Sequence, residues 1–143
     1  FDLSKKLSDL ASESIIQDLN LIIENKANFI AQDHNASTYA KKISKNESKI
    51  KWNETSKKIL AKINGLNPDP GAWFEYKNRR YKIWKAKITN EKGNPGKVLD
   101  QSFKIACNDG SIEIIEIQKQ GKNRLFIKDF LAGSNIEKGS QLE

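Results

Sequence analysis

Tyr81-Lys82-Ile83-Trp84-Lys85-Ala86-Lys87-Ile88 and Ile112-Glu113-Ile114-Ile115-Glu116-Ile117 are the stretches whose reading decides the fold. Each begins with apolar and polar residues in alternation, the pattern of a half-buried strand. Each then breaks step once. The apolar phase runs 81, 83 and then 84, 86, 88 in the first stretch, and 112, 114 and then 115, 117 in the second. One extra residue is what a β-bulge inserts, and bulges bend strands where small barrels close. The expectation is a mainly β chain built on a small closed barrel and not a flat sheet.

The flanking sequence fits that expectation. Trp73–Tyr76 reads as a strand joined to Tyr81–Thr89 by Lys77-Asn78-Arg79-Arg80, taken as a four-residue hairpin loop. Gly93-Asn94-Pro95-Gly96 is a turn, Val98-Leu99 and Phe103–Cys107 are short strands, and Asn108-Asp109-Gly110 is a hairpin signal. Asp129–Ala132 before Gly133 predicts a short final helical turn, with a mobile tail beyond it. Upstream, Asn53 is the expected cap of a short helix with Ile59, Leu60 and Ile63 as its buried stripe, ended by Asn64-Gly65. Asn67-Pro68-Asp69-Pro70-Gly71 is a rigid turn that opens the first strand.

Residues 25–50 lack periodicity and read as an extended connector. From Phe1 to Glu24, Leu3, Leu7, Leu10, Ala11, Ile15, Leu19, Ile22 and Ile23 recur at helical steps, so this is an isolated amphipathic helix. Such a helix needs a surface to cover. Two surfaces are open to it, that of a missing domain and that of the barrel.

The chain has 143 residues, room for one domain with an appendage. Charged residues make up 30%, apolar ones 37%, and the mean hydropathy is −0.68. No apolar run approaches the roughly 20 residues that span a bilayer, which argues against a membrane partner. A single Cys107 excludes a disulfide framework and suits the cytoplasm. The chain begins at Phe1 and contains no methionine, which predicts a piece of a longer protein. Its net charge of +7 is uneven. Residues 1–31 hold three basic and five acidic side chains, net −2, whereas residues 32–143 hold 22 and 13, net +9. That step marks a boundary at Gln32, with a basic linker over 32–50 and the barrel over 51–143.

The candidate binding residues are Lys41, Lys42, Lys45 and Lys49 in the linker and Lys77, Arg79, Arg80, Lys82, Lys85 and Lys87 on the first hairpin. The hairpin set falls within eleven positions that hold no acid. Lysine at this density suits a polyphosphate backbone, while a merely solvated face stays the bland alternative. Trp52, Trp73 and Trp84 are read as core packing, and Tyr39 and Tyr76 as surface aromatics. Asp33-His34-Asn35 combines residue types used in acid–base chemistry. Neighbours on an extended chain point apart, however, and cannot converge on one reacting atom. The residues supply no other catalytic pattern and no metal-ligand spacing, and Cys107 reads as a buried, inert thiol.

Several motifs are shared with a known family. Gln32-Asp33 followed by Thr38-Tyr39-Ala40 and Lys42, then Ile50-Lys51-Trp52, then Asn67-Pro68-Asp69-Pro70-Gly71-Ala72-Trp73 resemble the C-terminal domain of bacterial methionyl-tRNA formyltransferases. Tyr81–Ala86, Pro95-Gly96-Lys97-Val98, Asp109-Gly110 and Gln118–Gly121 extend the likeness, which runs from about Gln32 to Leu131. Asp69 replaces a usually bulky residue, and Lys51 stands where an acid or amide is frequent. The resemblance implies an OB-like barrel that helps hold initiator methionyl-tRNA. It also implies a separate N-terminal catalytic domain that uses 10-formyltetrahydrofolate, with residues 1–31 as that domain's last helix. The fragment itself is then expected to carry neither the catalytic residues nor a cofactor. Two alternatives stay open: the C-terminal domain of another folate-dependent formyltransferase, and a stand-alone basic barrel with a protein-interaction or structural role.

Overall fold

A computed structural model of the chain describes residues 2–134 and 136–143. They divide into two compact units between Lys42 and Ile43. The first unit holds α1 (Asp2–Ile23) and a single 3-10 turn at His34–Ala36. The apolar side chains of α1 stay exposed, with Leu7, Leu10, Ile15 and Leu19 all at half or more of their full area. The Asp33 carboxylate accepts the Asn35 N–H at 2.9 Å, closing a local turn. Asp33, His34 and Asn35 are all exposed.

The second unit contains α2 (Ser56–Gly65), β1 (Trp73–Tyr76), β2 (Arg79–Thr89), β3 (Lys104–Ala106), β4 (Ser111–Lys119), β5 (Arg124–Phe126) and α3 (Ile127–Ala132). Thr55, not Asn53, caps α2: its hydroxyl accepts the Lys58 N–H at 3.3 Å. The start is set from outside the helix, because Asp109 on the β3–β4 turn accepts the Ser56 N–H at 2.7 Å. Ile59 and Ile63 are fully buried below it.

The strands are antiparallel in the order β1-β2-β4-β3, with β5 beside β4. Both expected bulges are present. Ile83 pairs with Ile117, Lys85 with Glu116 and Ala86 with Ile114, so Trp84 and Ile115 are the extra residues. The first hairpin is tighter than its sequence suggested. Tyr76 pairs with Arg79 across Lys77-Asn78 alone, and both turn residues are left-handed, at φ 48° and 59°. That is the conformation of a two-residue primed turn, whose twist matches that of the strands. Arg79 and Arg80 are therefore strand residues, and successive strand residues face opposite ways.

The regular strands curl into a half-barrel, and two irregular segments continue the hydrogen bonding. Residues 96–99 pair with β3, Ala106 N–H donating to the Lys97 carbonyl at 3.0 Å and Leu99 N–H to that of Lys104 at 2.8 Å. The last residues then join that segment to β1. Leu142 N–H donates to the Gly96 carbonyl at 2.9 Å, and Glu143 and Glu75 exchange two bonds at 2.8 and 2.9 Å. The tail expected to be mobile thus completes the small barrel. Ile136 and Leu142 are buried in it, and open strand edges supply partners for its backbone.

The core is a branched-chain and aromatic cluster around Phe74, Phe103, Ile83, Ile105, Ile112, Ile114 and Ile117. Tyr81 stacks on Phe74 with centroids 5.3 Å apart. Cys107 is buried, and burial pushes its thiol up to about 12, so it stays protonated at neutral pH. Among the described residues no helix is long and apolar enough to cross a membrane.

Candidate nucleic-acid interface

Trp73 organises the basic surface. As the first residue of β1 it receives the connector: its N–H donates to the Ser48 carbonyl at 3.0 Å, and its carbonyl accepts the Ile50 N–H at 2.7 Å. Its indole N–H donates to the Lys45 carbonyl at 3.1 Å. Residues 45–50 are thereby strapped along the strand and belong to the barrel unit. The Arg80 guanidinium lies 4.3 Å from the Trp73 ring centroid and the Lys49 ammonium 5.6 Å from it. An aromatic face attracts cations in this range and holds them in place.

Lys82 sits opposite Trp73 in the β1–β2 register. Its ammonium donates to the Pro68 carbonyl at 3.3 Å and lies 4.9 Å from the Trp84 ring. The Pro/Gly turn makes room for it. Gly71 has φ +78°, and a Cβ there would meet Lys82 Cε at 2.4 Å. Lys45, Arg80 and Lys82 thus converge with Lys119, from the end of β4, on a cleft of about 290 Å³ walled by Trp73 and Pro70. Among the described residues none of these four cations has an ion-pair partner.

A second cleft, of about 370 Å³, lies where Lys77 and Arg79 meet Lys119 and Lys122 over Tyr81 and Phe130. The tight turn explains the division, since Arg79 and Arg80 point into different clefts. The remaining sites differ again. Lys85 and Lys87 stand opposite Glu116 and Glu113, and Lys87 bonds Glu113 at 3.1 Å. Lys49 reaches Glu75 at 3.6 Å. Lys41 and Lys42 are exposed residues of the first unit.

The basic barrel falls within a span with known relatives, because residues 42–135 match the family model described as formyl transferase, C-terminal domain. The chain belongs to this family. Formyl transferase C-terminal domains similar to it occur in the methionyl-tRNA formyltransferase of Pelagibacter ubique (strain HTCC1062), 50% identical over 141 residues. That alignment covers 98% of this chain and 46% of the relative. The methionyl-tRNA formyltransferase of Rickettsia prowazekii (strain Madrid E) is 38% identical over 144 residues, covering 99% of this chain and 47% of the relative. The chain spans about half the length of the curated relatives it matches. In structure it is similar to HypX from Aquifex aeolicus, with a TM-score of 0.68 at 19% identity, over 88% of this chain and 24% of HypX. HypX in complex with tetrahydrofolic acid superposes with a TM-score of 0.62 over 82% of this chain and 22% of HypX, again at 19% identity. These structural likenesses establish the fold.

Within this family member, core packing accounts for only one tryptophan. Trp52 is buried, but Trp73 and Trp84 are half-buried and face cations. Lys82 and Arg124 lie 4.9 and 4.7 Å from the Trp84 ring, and its N–H donates to Gln118 at 3.0 Å. The bulge is the cause, because the extra residue turns its side chain off the core face. Tyr39 is exposed, and Tyr76 shares a 3.3 Å hydrogen bond with Ser140. Sequence reasoning passed over Lys119, Lys122 and Arg124. Their signal was present: these three basic residues fall within six positions that hold no acid.

Proposed function

We propose that this chain is the RNA-gripping C-terminal part of a methionyl-tRNA formyltransferase. In this reading it holds initiator methionyl-tRNA while an N-terminal catalytic domain moves the formyl group from 10-formyltetrahydrofolate to the methionyl amine, in the cytoplasm. The observation that carries the proposal is the cleft around Trp73, where Lys45, Arg80, Lys82 and Lys119 converge with Asp69 as the lone carboxylate of the lining and, among the described residues, with no ion-pair partner. Cations held beside one another and left unneutralised fit a row of backbone phosphates, whose condensed counterions they release. The names of the relatives, aligned over nearly the whole chain, support the choice of RNA.

Lys45, Arg80 and Lys82 contact phosphates in the first cleft. Lys77 and Arg79 act at the second, and Lys41 and Lys42 add charge from upstream. Lys49 and Lys87 contribute less, because they pair with Glu75 and Glu113, and Lys85 lies opposite Glu116, whose carboxylate is held by Arg124. In this reading the folate donor and the transfer step belong to the catalytic domain, and no step of formyl transfer is assigned to these residues.

Filter binding of initiator tRNA across a salt series tests the proposal. If roughly five phosphates are neutralised, the log–log slope is about −4 to −5. A slope near zero, or equal retention of an acidic control protein, overturns it in favour of a solvated or protein-binding face.

A further inference from the structure

The second cleft has a feature that a bare basic patch lacks. Tyr81 is only 5% exposed, with its ring clamped between Phe74 and Phe130, whose centroids lie 5.3 and 5.9 Å away. Buried phenols normally find a hydrogen-bond partner. Tyr81 lines this cleft; among the described residues the sealed, unpartnered side-chain polar atom is Trp52 Nε1, so the Tyr81 hydroxyl, which no protein group engages, opens on the cleft. Burial raises the phenol's pKa, and the nearby Arg79 charge opposes the rise. The hydroxyl therefore stays a neutral donor beside a guanidinium, with Lys77 and Lys122 on the same rim. Among the described residues Lys77, Arg79 and Lys122 have no ion-pair partners.

The geometry points to this cleft as a subsite for one unpaired nucleotide of a single-stranded RNA segment, its phosphate held by Arg79 and the Tyr81 hydroxyl. The assignment rests on the nucleic-acid reading of the first cleft and goes beyond it. Lys119 lines both clefts, so a phosphate backbone lying in the first runs on into the second. A volume of about 370 Å³ is at the small end of ligand sites and suits a single nucleotide, whereas a duplex is too wide to enter either cleft and can only lay its backbone across the cations at a rim. Asp129, which also lines the cleft, repels a second phosphate and accepts a hydrogen bond from a ribose hydroxyl or base amine.

Binding of hexauridylate, a short RNA duplex and inorganic phosphate to the full chain, followed by amide chemical shifts, tests this. Hexauridylate is expected to shift Arg79, Tyr81, Lys122 and Phe130, and the duplex to shift Lys45, Trp73 and Lys82. Tyr81→Phe removes one oxygen and keeps the ring, while Arg79→Gln lies at an exposed site. Each should weaken hexauridylate binding about tenfold, the worth of one charge-assisted hydrogen bond. Tyr81→Phe should leave duplex binding within about twofold of the parent chain.

Hexauridylate binding both variants as tightly as the parent overturns the subsite. So does inorganic phosphate binding as tightly as hexauridylate, which would leave only a bare anion site. Duplex binding without hexauridylate binding removes the subsite and leaves the first cleft's reading intact. Loss of binding to both RNAs removes the two together.

Discussion

Arg80 and Lys82 stand on one side of the bulge in β2, and Lys85 and Lys87 on the other. In sequence the two pairs look alike. In the barrel, Arg80 lies across from Glu75 and Lys82 across from Trp73 on β1, but Glu75 pairs with Lys49, which leaves Arg80 over the Trp73 ring and Lys82 over the Trp84 ring. Lys85 and Lys87 lie across from Glu116 and Glu113 on β4. Cross-strand opposite charges of this kind stabilise a sheet modestly and leave little field for an outside anion. Cation density alone therefore does not define a phosphate site; what decides is which cations the nearby carboxylates pair with and which are left over an aromatic face.

The strongest way to break this comparison is to reverse the charges in each region separately. Lys45→Glu, Arg80→Glu and Lys82→Glu together should lower tRNA retention about 100-fold and flatten the salt slope by about 3 units. Lys85→Glu with Lys87→Glu should change retention by less than about threefold. Equal losses from both would show that the ladder binds as well as the cleft does.

Trp73→Leu keeps the net charge and removes the platform. Binding should fall about tenfold, because two cation–aromatic contacts of about 0.5–1 kcal/mol each are lost. An unchanged affinity would mean that Arg80 and Lys49 need no such support. Gly71→Ala has a smaller expected effect. The left-handed φ adds about 1 kcal/mol of strain, read as a lower melting temperature, and displacement of Lys82 weakens binding about threefold.

Glu113→Gln with Glu116→Gln sharpens the comparison from the other side. Freeing Lys87 from Glu113 and Arg124 from Glu116 should raise affinity about twofold and steepen the salt slope by about 1 unit. The smallest effect separates folding from binding. The Ser56 N–H holds the Asp109 carboxyl below its usual range, against a lesser opposing effect of burial. A depressed carboxyl adds stability above about pH 4 that is lost as pH falls through the lowered value. Asp109→Asn should flatten acid unfolding in that window and leave tRNA binding at neutral pH unchanged.

Much of this was legible in the chain. The phase slips at Trp84 and Ile115 and the turn at Asn67–Gly71 appear as written, and of the expected α2 stripe Ile59 and Ile63 are buried while Leu60 is only half-buried; each is a local pattern with a local cause. Three features were not. The hairpin loop was overestimated because Asn78 and Lys77 adopt left-handed conformations that two flanking arginines conceal. Thr55 displaced Asn53 because Asp109, far away in sequence, anchors the helix start. The tail was misread as mobile because its partners are strand edges formed elsewhere.

The sequence by itself determined a bulged, mainly β barrel, its family and a lysine-rich surface, since alternation, turn chemistry and charge are properties of neighbouring residues. Only the tertiary structure decided which of those lysines remain free. Pairing across strands sets whether a cation meets Glu113 or Trp73, and no local pattern encodes what the next strand will bring.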